Sequence, residues 1–373
     1  MPQVVDRSKM ASDIHKSPSC RNSKGVPERL LNPVRCVEMR NKTPLFMFLI
    51  SVPIFFQALN TFADVLESQG PPNNEVLLAI PNTEASGLVI LADTQQFFNS
   101  EELKVSLERY ENATQSLAAV LSGHADLGVV EQTAIVTESF ERRDFVILGT
   151  VYTSPNHIKI VARKDKNIAS PSDLKAAKIG TERWSAEHFF LSSLLINHGL
   201  TLRNVVFKHL EFSEIIPKLE KGEIDAAVLR EPFATQASIA LGNNSLIIAH
   251  KDLYISTYNL VALSEYVKAN PQKIRKVLKA IAQSENFIGN HPEEAITILS
   301  KDLSLNPDYL SKTIQETRLA LSLDQNLLLM MELVAKWMFQ DGMAVKQATP
   351  NYLRYLNWEA LEEISPEALG VIH

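Results

Sequence analysis

The distribution of apolar and polar residues from Glu75 onward predicts alternating strands and helices. Short apolar runs alternate with amphipathic stretches of helical period. The predicted strands cover residues 76–80, 105–110, 126–130 and 145–150, then 158–162, 178–180, 205–210 and 225–229. A longer strand is predicted over 254–263, after which the pattern becomes helical. Strands that alternate with helices indicate sheets that are mostly parallel.

The predicted helices begin at capping residues. Asn82 or Thr83 precedes a helix predicted over 84–98, and the stretch 112–115 has the form of a capping box. Ser185 is expected to cap another helix. After residue 263, proline at the first helical position marks two of three amphipathic stretches, which predicts a helical layer that packs back on the first part of the fold.

A short pattern that occurs twice indicates two similar lobes. The copies are Gly123-x-x-Asp126 and Gly222-x-x-Asp225, whose positions differ by 99, and each leads into an apolar strand. In each, a helix is expected to end at the glycine, which tolerates the left-handed conformation. Such junctions also recur in α/β proteins in general. We expect the aspartates to anchor strand entry, and the polar residues after each strand to lie where α/β sheets bind ligands.

Composition narrows the possible functions. The chain has 373 residues, 45% of them hydrophobic, and a net charge of −6, which argues against a nucleic-acid surface. Cys20 and Cys36 are the only cysteines, and both precede the predicted folded region. We therefore predict no disulfide, thiol nucleophile or cysteine metal site there. The histidines have no metal-ligand spacing and no nucleotide-binding motif is present, so no cofactor, metal or catalytic residue is predicted.

The amino terminus has the pattern of a targeting segment. Residues 1–38 are predicted to be a non-native or disordered extension, and 39–63 a signal peptide with a basic start, an apolar run of about a dozen residues and cleavage after Ala63. Residues 64–74 are then a linker. An uncleaved membrane anchor and a buried helix remain alternative interpretations.

Several short motifs, in order, resemble one family. They are Pro81-Asn-Thr-Glu-Ala-Ser-Gly87, Ala113-Thr-Gln115, Gly123-x-x-Asp126, Ile179-Gly180-Thr and Glu231-Pro232-Phe233. Together they are similar to the nitrate/sulfonate/taurine and thiamine-pyrimidine class of ABC-importer substrate-binding proteins. The resemblance implies a two-lobed α/β type II periplasmic-binding fold with two crossover strands, placed near 157–163 and 254–260. Lobe one is then 75–157 plus 258–373, and lobe two is 158–257.

The resemblance also implies a function and a set of ligand contacts. The function is capture of a small polar molecule by hinge closure, by a monomer that delivers it to a membrane permease with its ATPase. The compartment is periplasmic or otherwise extracytoplasmic. The implied ligand-binding residues are Asn82, Thr83, Ser86, Thr114, Gln115, Gln132, Thr133, Thr181, Trp184, Ser185, Arg230 and Glu231. An ordinary cap or turn is the alternative role for each, and packing is the alternative for Trp184.

Charge at the predicted strand ends favours an amine-bearing or heteroaromatic ligand. Glu84, Glu131, Glu182 and Glu231 lie beside these ends against Arg183 and Arg230. A buried carboxylate repels an anion and is compensated by an amine, and we expect Glu231 to be that partner. Two other classes stay open, a thiamine-pyrimidine synthase-like enzyme and a ligand-sensing module for a separate signalling chain. The cysteine- and histidine-bearing motifs of that enzyme are not found in the sequence.

Overall fold

The computed structural model describes residues 74–251, 253–343 and 349–372. The predicted extension, the signal peptide and all of the linker except Asn74 lie outside these residues. The strands are β1 Glu75–Pro81, β2 Lys104–Tyr110, β3 Leu127–Glu131, β4 Phe145–Ser154, β5 Ile158–Arg163, β6 Lys178–Thr181, β7 Val206–His209, β8 Ala226–Arg230, β9 Ser245–Ile248, β10 Ser256–Leu263, β11 Leu323–Asp324 and β12 Leu369–Gly370.

Helices separate most of these strands and dominate after β10. They are α1 Gly87–Thr94, α2 Phe97–Ser100, α3 Ala113–Leu121, α4 Gln132–Ser139, α5 Ala186–Asn197, α6 Phe212–Glu220, α7 Phe233–Leu241, α8 Ser264–Ala269, α9 Pro271–Asn290, α10 Pro292–Leu303, α11 Pro307–Gln315, α12 Gln325–Gln340 and α13 Glu359–Ile364. Short 3-10 turns cover Glu84–Ser86, Lys164–Lys166, Pro171–Leu174, Leu202–Asn204, Gly242–Asn244, Tyr352–Tyr355 and Pro366–Ala368.

Two five-stranded sheets have the same architecture. The first has the order β2-β1-β3-β10-β4 and the second β7-β6-β8-β5-β9. In each, the first three strands are parallel and the fourth is antiparallel to both of its neighbours. Four strands of each sheet therefore run in one direction. The sheets are mixed, because that single reversed strand makes half of the neighbouring pairs antiparallel.

The repeated Gly-x-x-Asp motif has the same structural role in both sheets, at the turn from a helix into a strand. Gly123 and Gly222 follow α3 and α6 with φ of 75° and 73°, a conformation that costs glycine little. The Asp126 carboxylate accepts a 2.8 Å hydrogen bond from the backbone N–H of Leu77, and the Asp225 carboxylate accepts one of 2.8 Å from Lys178. Each aspartate thus ties the entry of its strand to the neighbouring strand, as the sequence predicted.

The carboxyl-terminal helices cover the helices of the first sheet. α9 packs on α1 and α2, α10 packs on α1, and α12 packs on α4. The face that α9 buries carries Ile274, Val277, Leu278 and Ile281, spaced three and four residues apart as one helix face requires. The expected helical layer is therefore present.

The chain passes between the sheets in two short segments. It leaves the first sheet after Ser154 and enters the second at Ile158, then returns between Ile248 and Ser256. The crossings were predicted at 157–163 and 254–260, but β5 lies wholly in the second sheet and β10 wholly in the first. That 75–157 plus 258–373 and 158–257 move as separate lobes remains a prediction.

Two local predictions differ from the structure. The helix expected over 84–98 is a 3-10 turn followed by two helices, and it is interrupted at Gln96, which has a φ of 59°. The sequence analysis also missed several elements, among them α4, α7, β9, β11 and β12. Of these, α4 is rich in β-branched residues and β9 has only four residues, so neither carries a clear periodic signal.

Candidate functional site

A cleft of about 360 Å³ is lined by elements of both sheets. The first sheet contributes the start of α3 and the junction of β3 with α4. The second contributes the loop after β6, the start of α5 and the end of β8, while His157 and Tyr258 lie on the segments around the two crossings. Strand ends and helix starts thus converge on one space, as expected for a ligand site in an α/β protein.

Six of the twelve predicted ligand residues line this cleft, namely Thr114, Gln115, Thr133, Trp184, Ser185 and Arg230. Local capping explains how two of them are held. Asn112 accepts a hydrogen bond from the Gln115 backbone N–H, and the Ser185 hydroxyl accepts one from the backbone N–H of His188 at the start of α5. Both helices therefore present their amino termini to the cleft.

The other six predicted residues do not line the cleft, and for them ligand contact remains a prediction. Ser86 donates its hydroxyl hydrogen bond to the Pro81 carbonyl at 2.7 Å, and Thr181 donates to the Val228 carbonyl at 3.3 Å. The set is Asn82, Thr83, Ser86, Gln132, Thr181 and Glu231. Gln132 binds the crossing segment that leads into β10, and Asn82 accepts a hydrogen bond from Arg109.

Glu231 has a different environment from the one expected. Its Oε1 accepts a hydrogen bond of 2.5 Å from Lys159 Nζ, and its Oε2 accepts one of 3.2 Å from the Thr235 backbone N–H. Only 5% of the Glu231 side chain is exposed. A ligand amine would have to compete with the lysine, so Glu231 no longer supports the preference for an amine.

Glu131, by contrast, is a carboxylate that lines the cleft. It ends β3, and its Oε2 accepts a hydrogen bond of 2.8 Å from the Thr133 backbone N–H. Its Oε1 accepts a hydrogen bond from the hydroxyl of Tyr254. Burial raises the pKa of Glu131 to about 7, despite these donors. The sequence signal was available, since Glu131 stands at the end of the first repeat strand, one position earlier in the repeat than Glu231 in the second.

Further acidic groups lie across the cleft. Glu187, in the first turn of α5, accepts a hydrogen bond of 2.6 Å from Arg230, whose guanidinium lies 4.4 Å from the ring centroid of Phe212. Glu182 makes no side-chain hydrogen bond or ion pair to the described residues, and burial raises its pKa. Acidic residues in the lining, which are Glu131, Glu138, Glu182 and Glu187, outnumber the basic Arg183 and Arg230.

Glu84 is a further buried carboxyl group, close to His157. Glu84 Oε1 is 3.8 Å from His157 Nδ1, and neither Glu84 oxygen has a hydrogen-bond partner within the described residues. Burial raises the pKa of Glu84 to about 7. His157 lies between the hydroxyls of Tyr152 and Tyr258, each 3.2 Å away, and burial lowers its pKa to about 3. The imidazole is therefore neutral at ordinary pH.

Trp184 joins the loop after β6 to the carboxyl-terminal layer. Its Nε1 donates a hydrogen bond of 3.0 Å to the carboxylate of Asp341, the residue after α12. Its backbone φ is 61°, an uncommon conformation for a bulky residue. The indole therefore forms part of the cleft wall and also bridges two parts of the fold.

Comparison with known proteins identifies the family. Residues 82–295, more than half of the chain, match the family described as NMT1/THI5 like. The chain belongs to this NMT1/THI5-like family. A relative from Escherichia coli (strain K12) that carries the name of an aliphatic sulfonates-binding protein is 23% identical over 250 residues, which are 66% of this chain and 76% of the relative.

Two more comparisons extend the identification. A relative from Haemophilus influenzae that carries the name of a thiamine biosynthesis protein is 25% identical over 211 residues, 56% of this chain and 66% of that protein. The crystal structure of the periplasmic aliphatic sulphonate binding protein SsuA from Escherichia coli matches with a TM-score of 0.67 and 18% identity, over 76% of this chain and 92% of that one. The predicted fold class is thereby confirmed for this NMT1/THI5-like protein.

The described residues lack two further kinds of feature. They contain no group of three or more histidine, cysteine, aspartate and glutamate residues arranged to hold a metal ion. In the same part of this NMT1/THI5-like chain, no helix combines the length and apolar character needed to cross a membrane.

Proposed function

We propose that this chain is the extracytoplasmic substrate-binding component of an ABC importer, and that its cleft captures a small, positively charged polar molecule by closure of two lobes. Family membership and the sulfonate-binding relatives support the importer class. The excess of carboxylates in the cleft supports the charge of the ligand. The volume of the cleft, about 360 Å³, suits a small molecule.

The excess of acidic residues in the lining makes this cleft a poor site for a sulfonate anion. Arg230, the less exposed of the two arginines in the lining, is already paired with Glu187. Within the described residues neither Glu131 nor Glu182 forms an ion pair, although the charge of Arg230 lowers the pKa of Glu182 in part. A bound sulfonate would therefore lie beside carboxylates that no ion pair neutralises, whereas a protonated amine or a cationic heteroaromatic ring would pair with them. Trp184 offers a flat surface on which such a ring could stack.

A ligand search by charge tests this proposal. Thermal unfolding is measured with a planar monocation, benzamidinium, and with methanesulfonate as a small monovalent anion of the sulfonate class. A ligand that binds the folded state raises the melting temperature by mass action, so we expect the cation to raise it and the anion to have no effect. Stabilisation by methanesulfonate alone would contradict a cation site. Native mass spectrometry of the purified protein then identifies any natural ligand.

The compartment and the partners belong to the same proposal. The predicted signal peptide over 39–63 and the periplasmic relatives support export, with a membrane permease and its ATPase as partners of a monomeric binding protein. Amino-terminal sequencing of the exported protein is expected to start near Asp64. Recovery of residues 1–60 on a cytosolic protein would contradict this prediction.

Closure of two lobes has its own test. The cleft is lined from both sheets, so a ligand that contacts both would favour a closed arrangement. Small-angle scattering is expected to give a smaller radius of gyration for protein saturated with ligand than for free protein. An unchanged radius would contradict hinge closure.

An enzyme is the second candidate, favoured by the relative that carries a thiamine biosynthesis name. The described part of the chain offers this reaction no cysteine, and the cleft histidine, His157, is neutral between two tyrosines. Incubation of the protein with a bound ligand distinguishes the two functions. Stoichiometric binding without product supports the transport proposal, and turnover supports the enzyme.

A further inference from the structure

The segment that returns the chain from the second sheet to the first is held by three consecutive residues, Glu131, Gln132 and Thr133. Gln132 Nε2 donates a hydrogen bond of 2.7 Å to the Ile255 carbonyl, and its Oε1 accepts one of 2.6 Å from the Thr257 hydroxyl. Two of the three residues were predicted from the sequence as ligand contacts. The structure shows that both also bind the crossing segment.

Tyr254 is the side chain of this segment that reaches the cleft carboxylate. It is 2% exposed, and its hydroxyl lies 2.8 Å from the Thr133 hydroxyl and donates to Glu131 Oε1. Its ring packs against Phe189 of α5, with centroids 5.5 Å apart. Tyr254 is therefore fixed by contacts from both sheets' helices, with its hydroxyl directed at a group that lines the cleft.

We propose that Tyr254 is a positioning residue whose hydrogen bond favours the ionised form of Glu131 and orients its carboxylate to receive the cationic group of the ligand. This inference rests on the proposed function, because it assumes a cationic ligand. Its physical basis is that donors to a carboxylate stabilise the charged form. Tyr254 supplies one donor to Oε1 and the Thr133 backbone supplies another to Oε2, and a carboxylate has further lone pairs for a ligand.

The hydroxyl keeps its proton over the relevant range, because burial raises the pKa of Tyr254 well above its usual value. Burial acts against ionisation of Glu131, and the negative charge of Glu187 adds to that effect. The hydrogen bond from Tyr254 is the largest influence in the opposite direction. The other titratable and charged groups that line this cleft are Glu138, His157, Glu182, Arg183, Arg230 and Tyr258.

Carbon-13 NMR of the glutamate side-chain carboxyls tests this inference without any ligand. The Glu131 resonance is assigned by its loss in Glu131→Gln, and its pKa is measured in wild type and in Tyr254→Phe. A hydrogen bond to a charged group is worth enough to move a pKa by about 1 to 2, so we expect the pKa of Glu131 to rise by that amount. An unchanged or lower pKa would overturn the inference.

Tyr258→Phe is the matched control. Tyr258 is also a buried tyrosine at the cleft, but its hydroxyl bonds to His157 rather than to Glu131. The pKa of Glu131 is expected to stay within a few tenths of its wild-type value in this variant. An equal rise in both variants would mean that general loosening of the site, and not the Tyr254 hydroxyl, moves the pKa.

Replacement of Tyr254 by 3-fluorotyrosine gives a second measurement that does not remove the side chain. The fluorinated phenol is more acidic and is a stronger donor, so the pKa of Glu131 is expected to fall. If Tyr254 acted only by packing, Tyr254→Phe and 3-fluorotyrosine would not shift the pKa of Glu131 in opposite directions. Benzamidinium affinity then separates the two proposals. If the NMR shifts occur but wild type binds no cation, the proposed ligand class is wrong and the positioning role of Tyr254 stands. If wild type binds the cation but the shifts do not occur, the positioning role is wrong and the ligand class stands.

Discussion

The two copies of the Gly-x-x-Asp unit share a scaffold and differ in the charge at their ends. Asp126 and Asp225 bind a neighbouring backbone N–H at the same distance, 2.8 Å. The glutamates near the ends of the two strands differ, with Glu131 the last residue of β3 and Glu231 the first residue after β8. Glu131 lies in the cleft without a cationic partner among the described residues, whereas Glu231 is paired with Lys159. The repeat therefore determines backbone geometry, and the side chains around it determine chemistry.

The cause of this difference is the strand that runs antiparallel to each repeat strand. β5 lies beside β8 and carries Lys159, while β10 lies beside β3 and pairs Tyr258 with Glu131. Tyr254 lies just before β10. These partners are 72 residues from Glu231 and 123 residues from Glu131. The glutamate near the end of each repeat strand thus meets a lysine inside β5 in one sheet and a tyrosine just before β10 in the other.

The largest expected difference between the two glutamates is in ligand affinity. Loss of one partner of a desolvated charge pair costs about 2–5 kcal/mol, so Glu131→Gln is expected to weaken benzamidinium binding by roughly thirtyfold or more. Glu231→Gln is expected to change the affinity by less than about threefold on the same scale, because the Glu231 carboxylate is paired with Lys159 and not with the ligand. Isothermal titration calorimetry measures both.

The opposite result would reverse the comparison. If Glu231→Gln abolished binding and Glu131→Gln did not, the ligand amine would replace Lys159 at Glu231, as the sequence predicted. Glu223→Gln is the control for both variants, because Glu223 is an exposed residue of the second Gly-x-x-Asp turn.

The pH dependence of stability is the next largest expected effect. Burial raises the pKa of Glu131 from 4.5 to about 7 on folding, so the folded state favours the protonated form. This contribution is complete below about pH 4.5 and is lost as the pH rises through about 7. Its loss amounts to about 3 kcal/mol. Denaturant unfolding of ligand-free Glu131→Gln is therefore expected to show a flatter pH profile than wild type, and identical profiles would contradict the buried environment of Glu131.

Glu231 is expected to matter for stability rather than for binding. Its loss leaves Lys159, whose side chain is 16% exposed, without its partner. Breaking a largely buried ion pair from one side is expected to lower the free energy of unfolding by about 2–3 kcal/mol. In the double variant Lys159→Met and Glu231→Gln, most of that loss should be recovered, because no charge remains buried. A double variant as unstable as Glu231→Gln would show that the other contacts of Glu231 dominate.

The sequence predicted the fold more completely than the site, for physical reasons. Strand and helix order follows from local periodicity, and the glycine and aspartate of each repeat act on adjacent backbone. The charge of a cleft residue depends on distant partners, so nothing local distinguished Glu131 from Glu231. The ligand preference based on acidic strand ends is still supported, but by Glu131 and Glu182, which the predicted ligand set did not include.

The smallest expected effect concerns the two aspartates that anchor the strand entries, which is the feature that the two sheets share. Asp126→Asn and Asp225→Asn each keep an oxygen that can accept from the neighbouring backbone N–H but remove the negative charge that strengthens the bond. We expect each variant to lose about 1 kcal/mol of unfolding free energy, with the two losses equal within about 0.5 kcal/mol and benzamidinium affinity unchanged. Denaturant unfolding and calorimetry check both points. Clearly unequal losses would mean that the two strand entries are not energetically equivalent, and a loss of affinity from Asp126→Asn alone would assign that aspartate to the ligand site rather than to the scaffold.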